Sequence, residues 1–221
     1  MGVTERKKRE KEQRRKEIIS AAEKVFMMKG VDIATMDDVA EQAELSKATL
    51  YLYFNSKEEL YSAIFSKSQE ILCHMIEKAT AKVTGTHEKI AAIISTFISF
   101  QKKDPDYFEA FFYFLTRDID IDKEDFYVKK RRKSGRDLLN SWMDLVQKGK
   151  KEGLIREDLN EIPVALILWM QLLGFLKIYP KLKKRMNKDF KVTEKTILAD
   201  YSELIFYGIM RKWQDTGYYF K

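Results

Sequence analysis

The sequence predicts an all-α protein, on three observations. Of the 221 residues, 45% are hydrophobic and 34% charged, while 9 Gly and 3 Pro are too few to punctuate many short strands. Apolar residues recur at helical spacing, as Ile18, Ile19, Ala22, Val25 and Phe26 do. No internal repeat, low-complexity tract or long Pro/Gly/Ser linker interrupts the chain, so helices joined by short loops are expected.

Taken in order, the first helix is predicted over residues 10–29, with Gly30 as its stop. Thr35 reads as the N-cap of a second, with Asp37 and Asp38 in its electropositive first turn. Ser46 caps a third, "KATLYLYF". Ser56 caps a fourth, over 57–82, with Glu59 three residues on completing a capping box. Five more fit 87–103, 105–116, 124–152, 161–179 and 193–215. Asp104-Pro105, Gly153 and Glu161-Ile162-Pro163 mark breaks between them. Nine helices result.

A formal net charge of +7 points to an anionic partner, either nucleic acid or a membrane surface. Basic residues are not confined to the opening stretch: "KKRRK" at 129–133 and "KLKKR" at 181–185 lie far from it. Cys73 stands alone and has no disulfide partner, and "MGVTERKKREKEQRRKE" lacks the apolar core of a secretory signal, so a cytoplasmic location is expected. Arg6 occupies the place where a myristoylation motif requires Ser or Thr. The run "IPVALILWMQLLGFLKIY" approaches membrane-spanning length, but Gln171 and Lys177 interrupt it, and no membrane partner is expected. Catalysis is not expected either. His74 and His87 are the only histidines, and no Gly-rich phosphate loop, metal-ligand cluster or nucleophile motif occurs, so neither a metal nor a cofactor is anticipated.

The first sixty residues carry the most specific signal. Two short helices joined by a tight turn pack closely only where small residues sit at their crossing, and Ala40 and Ala43 supply them. Val39, Leu45, Leu50 and Tyr53 then face inward against the first helix, the pattern of a helix-turn-helix. Lys47, Ala48, Thr49, Tyr51 and Leu52 are left facing outward, the set a major-groove reader would use. Thr35 and Ser46, as caps, and Lys57, at the start of the next helix, stand where phosphate oxygens would sit, although each is also explicable as an ordinary helix start.

Residues 18–65, "IISAAEKVFMMKGVDIATMDDVAEQAELSKATLYLYFNSKEELYSAIF", resemble the DNA-binding domain of the tetracycline-repressor (TetR) family of bacterial transcriptional regulators. "AA…VF…KG", "TMDDVA", "SKATLYxYF" and "SKEEL" follow in the family's order and spacing. The resemblance implies a nine-helix architecture, with a DNA-binding domain over 1–60 that includes a basic arm at 1–16, and a ligand-binding and dimerisation domain over 61–221. It implies that Thr35, Ser46, Tyr53 and Lys57 hold phosphates, and that Lys47, Ala48, Thr49 and Tyr51 face base edges or the adjacent backbone. Tyr53 is open to two readings, ring in the small core or hydroxyl at DNA.

Two positions depart from the family pattern. Glu44 stands where Gly is common in the turn, and a left-handed conformation there costs a non-Gly residue about 1 kcal/mol. Ala48 replaces a common Gly at the start of the recognition helix. The arm "ERKKREKEQRRKE" either extends the first helix, stabilised by acid–base pairs, or reaches a neighbouring minor groove.

A helix-turn-helix of this size reads only a short half-site, so a homodimer on a palindromic operator is expected, formed through about 161–179 and 193–215. In the second of these, Ile197, Tyr201, Leu204, Ile205 and Gly208 recur at helical spacing. The aromatic-rich "PDYFEAFFYFLTR" supplies Tyr107, Phe108, Phe111 and Phe112. With Phe97, Phe100, Trp142 and Trp169 these form either core or a low-polarity effector pocket, with Gln101, Tyr107, Tyr113 or Gln171 as polar handles. By the resemblance, a small hydrophobic or aromatic effector would release the repressor from DNA. The competing expectation is a helical membrane-surface or protein-interaction module that uses the basic patches.

Overall fold

The computed structural model describes residues 2–115 and 126–210, and among them nine α-helices and one isolated antiparallel bridge, Ile155 to Met210. The helices are α1 (Val3–Lys29), α2 (Met36–Gln42), α3 (Lys47–Tyr51), α4 (Lys57–Thr80), α5 (Thr86–Lys103), α6 (Pro105–Leu115), α7 (Phe126–Lys151), α8 (Glu161–Phe190) and α9 (Glu194–Ile209). The chain divides into two compact units, Met1–Ile71 with Asp104–Ser134, and Leu72–Lys103 with Gly135–Lys221.

In the first unit, Ile18, Ala22, Val25 and Phe26 of α1 are buried together with Val39 and Ala40 of α2, Leu50, Phe54 and Leu60. Phe65 of α4 stacks on Phe111 of α6 with ring centroids 5.3 Å apart. Two side-chain-to-backbone bonds tie α4 to α6: Tyr61 donates to the Ala110 carbonyl at 3.1 Å and Ser68 to that of Tyr107 at 2.8 Å. The second unit buries Ile90, Ile93, Phe97 and Phe100 of α5, Trp142 and Val146 of α7, Leu168, Leu172 and Leu176 of α8, and Ile205 and Phe206 of α9. His87 stacks on Phe206 at 4.1 Å, and burial holds its pKa below the ordinary histidine value. Glu194 accepts from both Lys102 and Lys183, fastening the ends of α5, α8 and α9.

Three sequence expectations change. α1 begins at Val3 rather than near residue 10, so the basic arm extends the helix, with Arg6–Glu10 and Arg14–Glu17 pairs at 2.8 Å along it. α8 does not stop at residue 179: Pro180 lies inside it, and the helix continues to Phe190 before Lys191 turns it off at φ 58°. Proline removes one backbone donor, and the Lys-, Leu-, Arg- and Met-rich run after it has high helix propensity, so propagation prevails over the break. The Ser56 hydroxyl does accept from the Glu59 amide at 3.2 Å, but the Glu59 carboxylate reaches past Ser56 to the Asn55 backbone N–H at 2.8 Å. Residues 211–215 of the expected ninth helix, and the side chains of 129–132 in the basic "KKRRK" run, lie outside the described residues.

Candidate nucleic-acid interface

The helix-turn-helix is built from α2, a short turn and α3. Thr35 caps α2 in a reciprocal box. Its hydroxyl accepts from the Asp38 amide at 3.2 Å, while the Asp38 carboxylate accepts from the Thr35 N–H at 2.9 Å. Lys29, in the last turn of α1, donates to the same carboxylate at 2.7 Å. That lysine, followed by the Thr35 donor, holds the Asp38 carboxyl down at about 2.

α2 ends in a Schellman arrangement, with the Leu45 N–H donating to the Ala40 carbonyl at 2.9 Å and the Glu44 N–H to that of Glu41 at 3.0 Å. Closing both bonds requires a left-handed residue, and Glu44 adopts φ 55° to provide it. The chain then enters α3 through Ser46, whose hydroxyl accepts from the Thr49 amide at 3.1 Å and lies 2.8 Å from the Thr49 hydroxyl.

Leu50 and Phe54 are fully buried and anchor α3 from beneath. Arg15 of α1 lies over the Phe54 ring, 4.5 Å from its centroid, and reaches Glu59 at 3.4 Å. The opposite face is open. Lys47, Ala48, Tyr51 and Leu52 are exposed, Leu52 at 77%. Thr49 and Tyr53 are half-buried, as are Leu45 and Ala43, so the small core rests mainly on Val39, Ala40, Leu50 and Phe54.

The structure gives two of the candidate DNA-contacting lysines other partners. The Lys47 ammonium pairs with Asp37 at 2.7 Å, and that bond holds its pKa above the ordinary lysine value. The Lys57 ammonium donates to the carbonyls of Val31 at 2.8 Å and Ala34 at 3.0 Å, stapling the α1–α2 loop to the start of α4. Sequence reasoning missed Arg15, although it lies three and four residues before Ile18 and Ile19, on the same helix face.

The candidate effector residues fall in both units. Tyr107, Phe108, Phe111 and Phe112 belong to the first. There the Tyr107 hydroxyl donates to Glu23 at 3.1 Å and the Tyr113 hydroxyl to Asp32 at 2.8 Å, so both proposed handles are engaged. Phe97, Phe100, Gln101, Trp142, Trp169 and Gln171 belong to the second. Phe97, Phe100 and Trp142 are buried, Gln101 and Trp169 are half-buried, and Gln171 is exposed on α8. Within that unit the Nε1 atoms of Trp142 and Trp169 and the hydroxyls of Tyr179 and Tyr201 are buried without a hydrogen-bond partner. The Tyr179 and Tyr201 rings each stack on Phe175, at 5.2 and 4.8 Å, and burial raises the Tyr201 pKa. The two tryptophans, read from sequence as apolar walls, thus carry unmatched donors.

Residues 18–64 match the family model described as bacterial regulatory proteins, tetR family. Over 94 residues the chain is 32% identical to the HTH-type transcriptional activator FasR of Mycolicibacterium smegmatis, a match covering 42% of this chain and 43% of that one. It is 26% identical over 149 residues to the HTH-type transcriptional repressor KstR2 of the same species, covering 66% of this chain and 70% of that one. Among solved structures, the transcriptional regulator FadR of Bacillus subtilis in complex with stearoyl-CoA superposes with a TM-score of 0.64 at 20% identity, over 87% of this chain and 98% of that one. The match to FasR therefore spans less than half of that regulator's length, and the superposition on FadR establishes the shared all-α fold.

Proposed function

We propose that this chain, whose residues 18–64 match the tetR family of bacterial regulatory proteins, is a cytoplasmic, homodimeric, sequence-specific DNA-binding regulator released from a palindromic operator by a small, largely apolar effector. The observation that carries this reading is the two-sided character of α3: Leu50 and Phe54 are buried to the last atom, while Lys47, Ala48, Tyr51 and Leu52 present an open face with both polar and methyl-contacting groups. Thr35 and Ser46 cap their helices beside that face, as phosphate-positioning residues do, and Thr49 and Tyr53 flank it. Lys57 contributes by holding the loop that presents Thr35.

Dimerisation is proposed through α8 and α9. Ile167, Met170 and Ile178 on α8 and Leu204 and Tyr207 on α9 are all between 48% and 73% exposed. Gly174 and Gly208 on the same helices have open space where a side chain would stand. Exposed apolar surface of this kind suits a self-complementary interface.

The effector reading rests on the second unit. Four buried donors without partners, on Trp142, Trp169, Tyr179 and Tyr201, destabilise an apolar core unless acceptors reach them, so an apolar body carrying hydrogen-bond acceptors suits the site better than a pure hydrocarbon. α4 has its first turns in one unit and its last in the other, and a ligand favouring the DNA-free arrangement of α4 would lower operator affinity.

Selection of bound sequences from random double-stranded DNA at near-physiological salt tests the regulator reading. It predicts an enriched palindrome. No enrichment, in protein refolded free of co-purified ligand, would favour the basic surface serving a membrane or protein partner instead. Stearoyl-CoA is a suitable first effector: tight binding that leaves operator affinity unchanged would dismiss it.

A further inference from the structure

The first half of α1 lies outside the packed body of its unit. Every residue from Thr4 to Arg14 is exposed, a stretch of about 16 Å at the helical rise, before Arg15 docks over the Phe54 ring and against Glu59. Residues 1–16 hold eight lysines and arginines against three glutamates, so five of the seven net positive charges of the chain belong to this arm.

Those charges are sorted around the helix. Lys7, Lys11 and Arg14 precede the buried Ile18, Ala22 and Val25 at spacings of three and four, with Lys8 and Arg15 beside them. The core stripe of α1 therefore continues into the arm as a basic stripe. Glu5, Glu10, Glu12 and Glu17 all lie about 100° or more around the helix from the centre of that stripe. Glu10 takes Arg6 and Glu17 takes Arg14, while among the described residues no ion pair holds Lys7, Lys8 or Lys11. Arg15 belongs to the stripe and meets Phe54 just past α3, so the stripe faces the side of α1 on which the end of α3 lies.

We propose that Lys7, Lys8 and Lys11 form a phosphate-binding stripe that grips the backbone of duplex DNA beside the segment met by α3, without reading sequence. The inference rests on the reading of α3 as the helix that faces DNA. Helical continuity from the packed half of α1 sets the three ammonium groups in one row, so little order remains to be imposed on binding. Each ammonium that meets a phosphate releases condensed counterions, which favours the complex and makes it salt-dependent. A membrane surface suits the arm less well. An interfacial helix needs an apolar face, and Val3 is the only apolar residue between positions 3 and 17.

The test is anisotropy titration of the full chain on a mixed-sequence duplex of about 30 base pairs without a palindrome, over a salt series. Lys7→Ala/Lys8→Ala/Lys11→Ala should bind at least tenfold more weakly than wild type, with a log–log salt slope shallower by about 2.7 per bound chain. Arg6→Ala/Arg9→Ala/Lys16→Ala removes the same charge from the opposite face and should change affinity less than threefold. The substituted side chains are all exposed and alanine favours the helix, so both variants should keep the wild-type melting temperature. No binding by wild type, equal losses in the two variants, or no loss in the first would each overturn the proposal. In that last case, loss of binding to phosphatidylserine vesicles would assign the stripe to a membrane instead. An enriched palindrome in the selection above without a stripe effect would sink this proposal alone, and a stripe effect without enrichment would sink the operator reading alone.

Discussion

Glu44 and Asp37 are two residues at which local chemistry constrains the helix-turn-helix. Glu44 occupies a left-handed position that the Schellman bonds of α2 demand, and its Cβ opposes that conformation. Replacing it with Gly relieves the strain at some cost in unfolded-chain entropy. Glu44→Gly should therefore raise the unfolding free energy by up to about 1 kcal/mol, read as a higher urea midpoint at unchanged m. Asp37 holds the Lys47 ammonium beside the proposed DNA face. Exposed pairs contribute little to stability, so Asp37→Asn should free Lys47 at little cost and tighten DNA binding by roughly threefold, with a steeper salt dependence in an anisotropy titration. The departure at Glu44 was legible because the surrounding motif fixes the register. The fate of Lys57 was not, since nothing near it in sequence announces that the carbonyls of Val31 and Ala34, more than twenty residues away, will converge on its ammonium.

At the scale of elements, the helix starts that carry a capping side chain were read best, because a cap is a local device: Thr35, Ser46 and Thr193 each accept from an amide three residues on. The Thr35 box also makes a pH prediction. The Asp38 carboxyl is depressed from its ordinary 3.8 to about 2 in the folded protein, so its ionised form stabilises α2 fully above 3.8, and that stabilisation is lost as pH falls through about 2. Acid unfolding of wild type and Asp38→Asn should therefore differ above pH 4 and converge toward pH 2. A difference that persists unchanged at the acid end would mean that the carboxylate is not the source. Helix ends were read less well. The eighth helix was placed over 161–179, yet it runs through Pro180 to Phe190. A cavity lined by Glu23, Tyr61 and Asp106 was invisible from sequence, since these residues come from three helices that only the tertiary fold assembles.

For the molecule as a whole, a half-site reader gains useful affinity by doubling, which places weight on the exposed apolar faces of α8 and α9. Met170→Glu with Leu204→Glu puts a charge on each face at positions 56% and 73% exposed, so the chain should stay folded while sedimentation finds a monomer with lost operator binding. An unaltered dimer would move the interface elsewhere. The fold class and the helix-turn-helix segment were legible because its caps, turn and two short helices lie within forty consecutive residues. The unmatched donors of Trp142 and Trp169 were not, because their burial depends on how α7 and α8 pack. The most direct test of the account is operator affinity of the Lys47→Ala/Tyr51→Ala variant, whose two side chains are exposed and carry none of the core. A loss of about 100-fold against an unchanged melting temperature and an intact dimer is predicted, at about 1–3 kcal/mol for each contact. Wild-type affinity in that variant would contradict the claim that the open face of α3 reads DNA.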